Sequence, residues 1–168
     1  MITTSVPIDS ISPDPANVRK HPERNLDTIK ASLRRFGQQK PIVVDASGIV
    51  RAGNGTLEAA KALGWDTINV VQSDLKGSEA TAYAIADNRS GDLAEFDNVA
   101  LAEQLEALRG EDFDLDAVGF TSDEIDGLLE GIGDDVLGDE ADGKEYDESV
   151  EDEVEFHECP ACSHRWPK

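Results

Sequence analysis

Charge is divided so unevenly along this 168-residue chain that it fixes where a folded core can lie. Residues 1–100 carry 11 basic and 13 acidic side chains, net −2, whereas residues 101–168 carry 4 basic and 23 acidic, net −19. The extreme is 134–155, with 12 acids, one base (Lys144) and few large apolar groups. Such a composition buries too little apolar surface to offset chain entropy, so 133–155 reads as a disordered acidic linker. The length suits one compact domain with appendages, with a single modest core. No apolar run is long enough to span a bilayer, and no basic flank with an apolar stretch opens the chain; a soluble, cytoplasmic protein with no membrane partner is expected.

Apolar periodicity sorts the first hundred residues into alternating strands and helices. Residues 6–12 alternate like a short strand until Pro13-Asp14-Pro15 interrupts them. Leu26, Ile29, Leu33 and Phe36 form one helical stripe, with Asn25 placed as N-cap and Gly37 as the stop. Two β-branched runs, 41–45 and 49–52, flank Ala46-Ser47-Gly48 and predict a hairpin. Thr56 then opens a helix through Leu63, closed by Gly64; 67–71 reads as a strand, and a helix runs from Ser78 to near Gly91. Residues 96–132 form a helical extension: Val99, Leu101, Ala102, Leu105 and Leu108 mark one helix, and Thr121-Ser122-Asp123-Glu124 caps another. The class is α/β, with a small mixed sheet and packed helices.

Two loops in the body carry candidate chemistry. Arg51-Ala52-Gly53-Asn54-Gly55-Thr56 joins a strand to a helix start, where free amides, a helix pole and Arg51 suit a phosphate. A tight glycine turn with a threonine cap accounts for the same residues. Asp87-Asn88-Arg89, near a helix C-terminus, offers a carboxylate, an amide and a guanidinium for a metal–phosphate group, or for the last carbonyls of the helix. The net charge of −21 argues against nucleic acid as a partner, yet residues 17–40 are net +5. Their Arg19, Lys20, Arg24, Lys30, Arg34 and Arg35 form either a nucleic-acid-binding surface or a solvated helix face. His21 beside them reads as a surface histidine. No Ser/His/Asp triad, paired-carboxylate site or cysteine nucleophile can be assembled from spacing in the body.

At the C-terminus (156–168), Cys159-Pro160-Ala161-Cys162 has the spacing of one knuckle of a zinc ribbon. A closed site needs four ligands. His157 and His164 can supply the second pair, as can the cysteines of a second chain; the alternative is a thiol pair on a mobile tail.

Four motifs in register identify a family. Asn17-Val18-Arg19, Phe36-Gly37-Gln38-Gln39-Lys40-Pro41-Ile42-Val43-Val44, Ala52-Gly53-Asn54-Gly55-Thr56-Leu57-Glu58-Ala59-Ala60 and Ala84-Ile85-Ala86-Asp87-Asn88-Arg89 resemble the ParB N-terminal, sulfiredoxin-like domain. The resemblance covers residues 5–95, and residues 113–129 resemble the extension that follows this domain in phage and mobile-element proteins, often ahead of a DNA adenine methyltransferase. The resemblance implies a nucleotide pocket between Gly53–Leu57 and Asp87–Arg89, used for CTP in partition proteins and for ATP in sulfiredoxins and a free-serine kinase. A nucleoside triphosphate with Mg is the cofactor it implies. Partition proteins place Gly-Glu-Arg-Arg in this loop; Gly55 and Thr56 stand at the two arginine positions here, and the loop has no cysteine for sulfinic acid chemistry. A counterpart of the partition proteins' helix-turn-helix is not expected, because residues 98–130 are too acidic to lie against phosphate.

Three functions stay open: a noncatalytic nucleotide- or DNA-associated module that binds phosphate at Gly53–Thr56; an enzyme of the same fold (nuclease or ATP-dependent phosphotransferase) with Asp87 or Glu58 as its acid; and an adaptor for a DNA methyltransferase or other mobile-element protein.

Overall fold

A computed structural model describes residues 2–138, 156–158 and 165–167, in two compact units, Met1–Glu130 and Gly131–Lys168. In the first unit, four strands form one mixed sheet: β1 (Thr3–Pro7), β2 (Ile42–Val44), β3 (Val50–Ala52) and β4 (Thr67–Gln72), in the order β1-β4-β2-β3. β1 is antiparallel to β4, with Thr3 opposite Val71 and Pro7 opposite Thr67. β4 is parallel to β2, and β2 antiparallel to β3. A parallel pair cannot be closed by a tight turn. The chain therefore leaves β2 through the hairpin to β3 and returns to β4 over a helix, which brings that helix's N-terminus to the end of β3.

Five helices follow from the sequence punctuation: α1 (Glu23–Phe36), α2 (Asn54–Ala62), α3 (Gly77–Asp92), α4 (Asn98–Gly110) and α5 (Ser122–Gly138). The core under the sheet is Ile8, Ile11, Leu33, Ile42, Val44, Val50, Leu57, Ala59, Ala60, Ile68 and Val70. A smaller buried set, Ala102, Leu105, Ala117 and Ile125, lies in the extension. The capping box read at Thr121 is present in full: Thr121 N–H donates to Glu124 Oε2 at 2.9 Å and Glu124 N–H to Thr121 Oγ1 at 3.2 Å.

Several expected boundaries move. The first strand lies at 3–7, not 6–12, because Ile8–Ser10 form a 3-10 turn that buries Ile8 and Ile11, whose spacing of three fits that tighter coil. Asn25 does not cap α1. The helix starts three residues earlier than that cap implies, after Pro22, and Asn25 Oδ1 lies 2.8 Å from His21 Nδ1. α2 begins at Asn54 instead of Thr56, because Gly53 turns the chain at φ 95°. α5 continues to Gly138, five residues into the acidic stretch. In the second unit β5 (Phe156–Glu158) and β6 (Arg165–Pro167) pair antiparallel, His157 opposite Trp166.

Candidate functional site

Asn54, Leu57, Glu58 and Lys61 recur at helical spacings of three, four and seven, so they form one stripe along the flank of α2. Facing that stripe is the segment from Pro13 to His21, and together they line a cleft of about 270 Å³ whose walls are Pro13, Asn17, Arg19, His21, Asn54, Leu57, Glu58 and Lys61. Leu57 is fully buried and Pro13 adds apolar surface, while the remaining groups are polar or charged. Of the loop residues singled out from the sequence, Asn54 alone lines this cleft. The recess is therefore on the side of α2, not at its N-terminal pole.

The cleft's outer wall is held by the chain itself. Asp14 N–H donates to Asn54 Oδ1 at 3.0 Å, and the Asn17 side chain folds onto Arg19, accepting from its N–H and donating to its carbonyl. Arg19 reaches across to the end of α3, where its Nη1 meets both oxygens of Asp92 at 2.8 and 2.9 Å. Lys61 Nζ donates to the Ile11 carbonyl at 3.2 Å.

Arg51 has a structural place, not a phosphate-facing one. Its Nη1 donates to Asp14 Oδ2 at 2.8 Å, and its Nε and Nη2 to Asp45 Oδ2 at 3.1 and 2.7 Å. The three side chains are 18%, 7% and 13% exposed, so this guanidinium is committed inside the protein. Burial, the largest single influence on Asp45, pushes its carboxyl up. The Ile49 amide, Arg51 and the Ser47 amide outweigh it and hold the carboxyl below its usual range. Asp45 in turn raises Arg51, against the opposing effect of burial.

The two glycines are places of close approach. A Cβ on Gly53 would stand 2.6 Å from Ile42 Cγ2, and on Gly55 2.7 Å from His21 Cε1 and 3.0 Å from Ile29 Cδ1. Gly55 thus lets α2 pack against α1 and seats the partly exposed His21 ring in the cleft wall. Thr56 lies on the other side of α2, in a separate groove beside Gln38 and Ala117. Asp87, Asn88 and Arg89 sit on α3, with Asn88 Nδ2 donating to Ala84 O at 2.8 Å; they do not line the cleft.

Three bases of the segment, Arg19, Arg24 and Lys30, are ion-paired within the fold. Arg24 makes a two-pronged pair with Glu124, Lys30 pairs with Asp27, and Arg35 lies 4.8 Å over the Phe113 ring, itself stacked on Phe36. The Arg24 guanidinium, with help from the Thr121 amide, holds the Glu124 carboxyl at about 2. Lys20, Arg34, Arg35 and Lys40 have no ion-pair partner among the described residues; Arg34, Arg24 and Lys30 border a groove of about 630 Å³ between α1 and Asp116–Thr121. Of the expected metal ligands, Cys159, Cys162 and His164 lie outside the described residues and His157 falls in β5. The described residues contain no group of three or more metal-ligating side chains, and none of their helices is long and apolar enough to cross a membrane.

Sequence reasoning missed Pro13, Asn17, His21 and Lys61 as cleft residues. The signal for Lys61 was present in the α2 stripe, but the two glycines drew attention to the helix pole.

Comparison with known proteins agrees with this architecture. Residues 99–165 match the ParB-methyltransferase HTH domain. That match overturns the expectation that no helix-turn-helix counterpart follows the body: surface charge governs what a helix pair can lie against, not whether the pair forms. The chain is 31% identical over 65 residues to the ParB-like nuclease domain-containing protein YnaK of Escherichia coli (strain K12), which covers 39% of this chain and 75% of that protein. The fold is similar to the C-terminally truncated chromosome-partitioning protein ParB from Caulobacter crescentus complexed with CTP-γ-S, with TM-score 0.68 at 18% identity over 85% of this chain and 89% of that one. Sulfiredoxin from Arabidopsis thaliana aligns with TM-score 0.41 and 22% identity over 51% of this chain and 98% of that one. Residues 1–89 match the ParB N-terminal domain, and with more than half its length inside that match the chain belongs to the ParB N-terminal domain family.

Proposed function

We propose that this protein is a noncatalytic, nucleotide-responsive ParB-like module whose ligand lies along the flank of α2, in the cleft closed by Pro13–His21. The observation that carries this reading is the cleft itself. An apolar floor at Leu57 and Pro13 is ringed by a cation (Arg19), a second cation (Lys61), a carboxylate (Glu58) and the amide of Asn54. This mixture suits a ligand with a flat or apolar part, hydroxyls and an anionic group. The CTP-γ-S held by the Caulobacter crescentus ParB supports a nucleotide as that ligand. Calorimetric titration of the full chain with a nucleotide panel tests it: saturable heat that Asn54→Ala and Arg19→Ala each diminish is expected, and absence of heat with every nucleotide overturns it.

DNA association belongs to the same reading, through Lys20, ahead of α1, and Arg34, on the rim of the α1 groove. Residues 101–130 carry ten acids against one base, so the extension is assigned to a protein partner instead of phosphate. Its match to a ParB-methyltransferase HTH domain supports a DNA methyltransferase as that partner. Loss of methyltransferase capture on removing residues 99–138 is the expected result. The name of the Escherichia coli relative favours a second reading, nuclease activity. Plasmid cleavage with magnesium or manganese that Glu58→Gln or Asp87→Asn abolishes would establish it in place of the noncatalytic one. We also assign zinc to the C-terminal hairpin, because β5 and β6 bracket the Cys159–Cys162 spacing. Stoichiometric zinc that is lost in Cys159→Ser is the expected outcome.

A further inference from the structure

We propose that the α2 cleft selects a nucleotide with a single phosphate group over the corresponding triphosphate; this rests on the nucleotide reading above and narrows it. The formally charged side chains lining the recess are Arg19, Lys61 and Glu58. Neither cation is unengaged. Arg19 already faces both oxygens of Asp92, and Lys61 is bonded to the Ile11 carbonyl. Arg51, which stands closest in sequence to the glycine loop, is buried between Asp14 and Asp45. Gly55 and Thr56 bring no charge: the first is packed on His21 and the second lines a different groove.

A single phosphate carries a charge of about −1.5 to −2 near neutral pH. Arg19 can take it in exchange for Asp92 without moving far, since both side chains are nearly half exposed. Each further phosphoryl group adds negative charge beside Glu58, and the lining residues hold no lysine or arginine beyond Arg19 and Lys61 to meet it. Glu58 has a different use. A carboxylate only accepts hydrogen bonds, so it suits the hydroxyls of a sugar or an exocyclic amine of a base. Asn54, whose oxygen is taken by the Asp14 amide, has its NH2 group left to donate.

The test is calorimetry on the full chain with matched nucleoside monophosphates and triphosphates, each with and without magnesium ions, alongside the bare nucleosides and inorganic phosphate. The monophosphate is expected to bind about tenfold or more tightly than its triphosphate. Glu58→Lys is expected to narrow or reverse that preference, because it replaces the repelling carboxylate with a cation on an exposed helix position. A triphosphate that binds as tightly as the monophosphate, or a preference that Glu58→Lys leaves unchanged, overturns the selectivity while the nucleotide reading stands. Binding of no nucleotide at all overturns both.

Discussion

Arg51 and Glu124 show what single side chains do here. Removing Arg51 leaves two carboxylates inside the fold without their counter-charge, the situation in which a broken buried pair costs about 3–5 kcal/mol. Arg51→Met should therefore lower unfolding stability by about that amount, measured by urea denaturation, whereas loss of a phosphate ligand alone would leave it unchanged. Glu124 belongs to the opposite class, being solvent-exposed but held at about 2 instead of the usual 4.5 by Arg24 first and the Thr121 amide second. A carboxyl depressed by folding contributes stability that is complete above its unfolded value and is lost as pH falls toward the folded one. That contribution should fade between pH 4.5 and about 2. In Arg24→Gln, the Glu124 carboxyl resonance should titrate with a midpoint shifted upward, toward 4.5; an unmoved midpoint would remove Arg24 as the cause. The sequence announced both residues but not their partners. Asp14 is 37 positions from Arg51 and Glu124 is 100 from Arg24, separations that spacing rules do not reach. The Asp45–Arg51 pair across the hairpin was the one local clue.

At the level of elements, the order of helices and strands was legible because each boundary is marked by a glycine, a proline or a capping residue. The hairpin at 42–52 and the box at Thr121–Glu124 follow from such marks directly. The first strand was misplaced because Ile8 and Ile11 are apolar for the sake of a 3-10 turn, not a pleat. The orientation of α2 was half legible. Its glycines were recognised as permissive, but their conformational freedom serves packing against Ile42, His21 and Ile29. Gly55→Ala tests this, since its Cβ would meet His21 at 2.7 Å. Overpacking of this kind costs about 1–3 kcal/mol, and the His21 ring resonances should shift with it. An alanine accepted without loss of stability would show that α1 and α2 are less tightly joined than described.

For the molecule as a whole, the split of charge separates two roles. The body, nearly neutral, carries the cleft; the residues beyond it carry almost all the net negative charge. On the DNA reading proposed above, the acidic segment would compete with DNA for Lys20 and Arg34, and salt would screen both interactions. Truncation after Gly138 should strengthen DNA binding at low salt and matter less as salt rises, read by fluorescence anisotropy; equal affinities at all salt concentrations would dismiss the competition. That contrast was visible in the composition alone, whereas the location of the cleft required the fold, which brings Pro13–His21 against α2 from some forty residues away. The proposed seat of the nucleotide is the side of α2. Amide chemical-shift mapping of the isotope-labelled full chain during nucleotide titration tests it most directly. Shifts should concentrate at Asn17, Arg19, Asn54, Leu57, Glu58 and Lys61; shifts confined to the α1 groove around Arg34, or none anywhere, would contradict it.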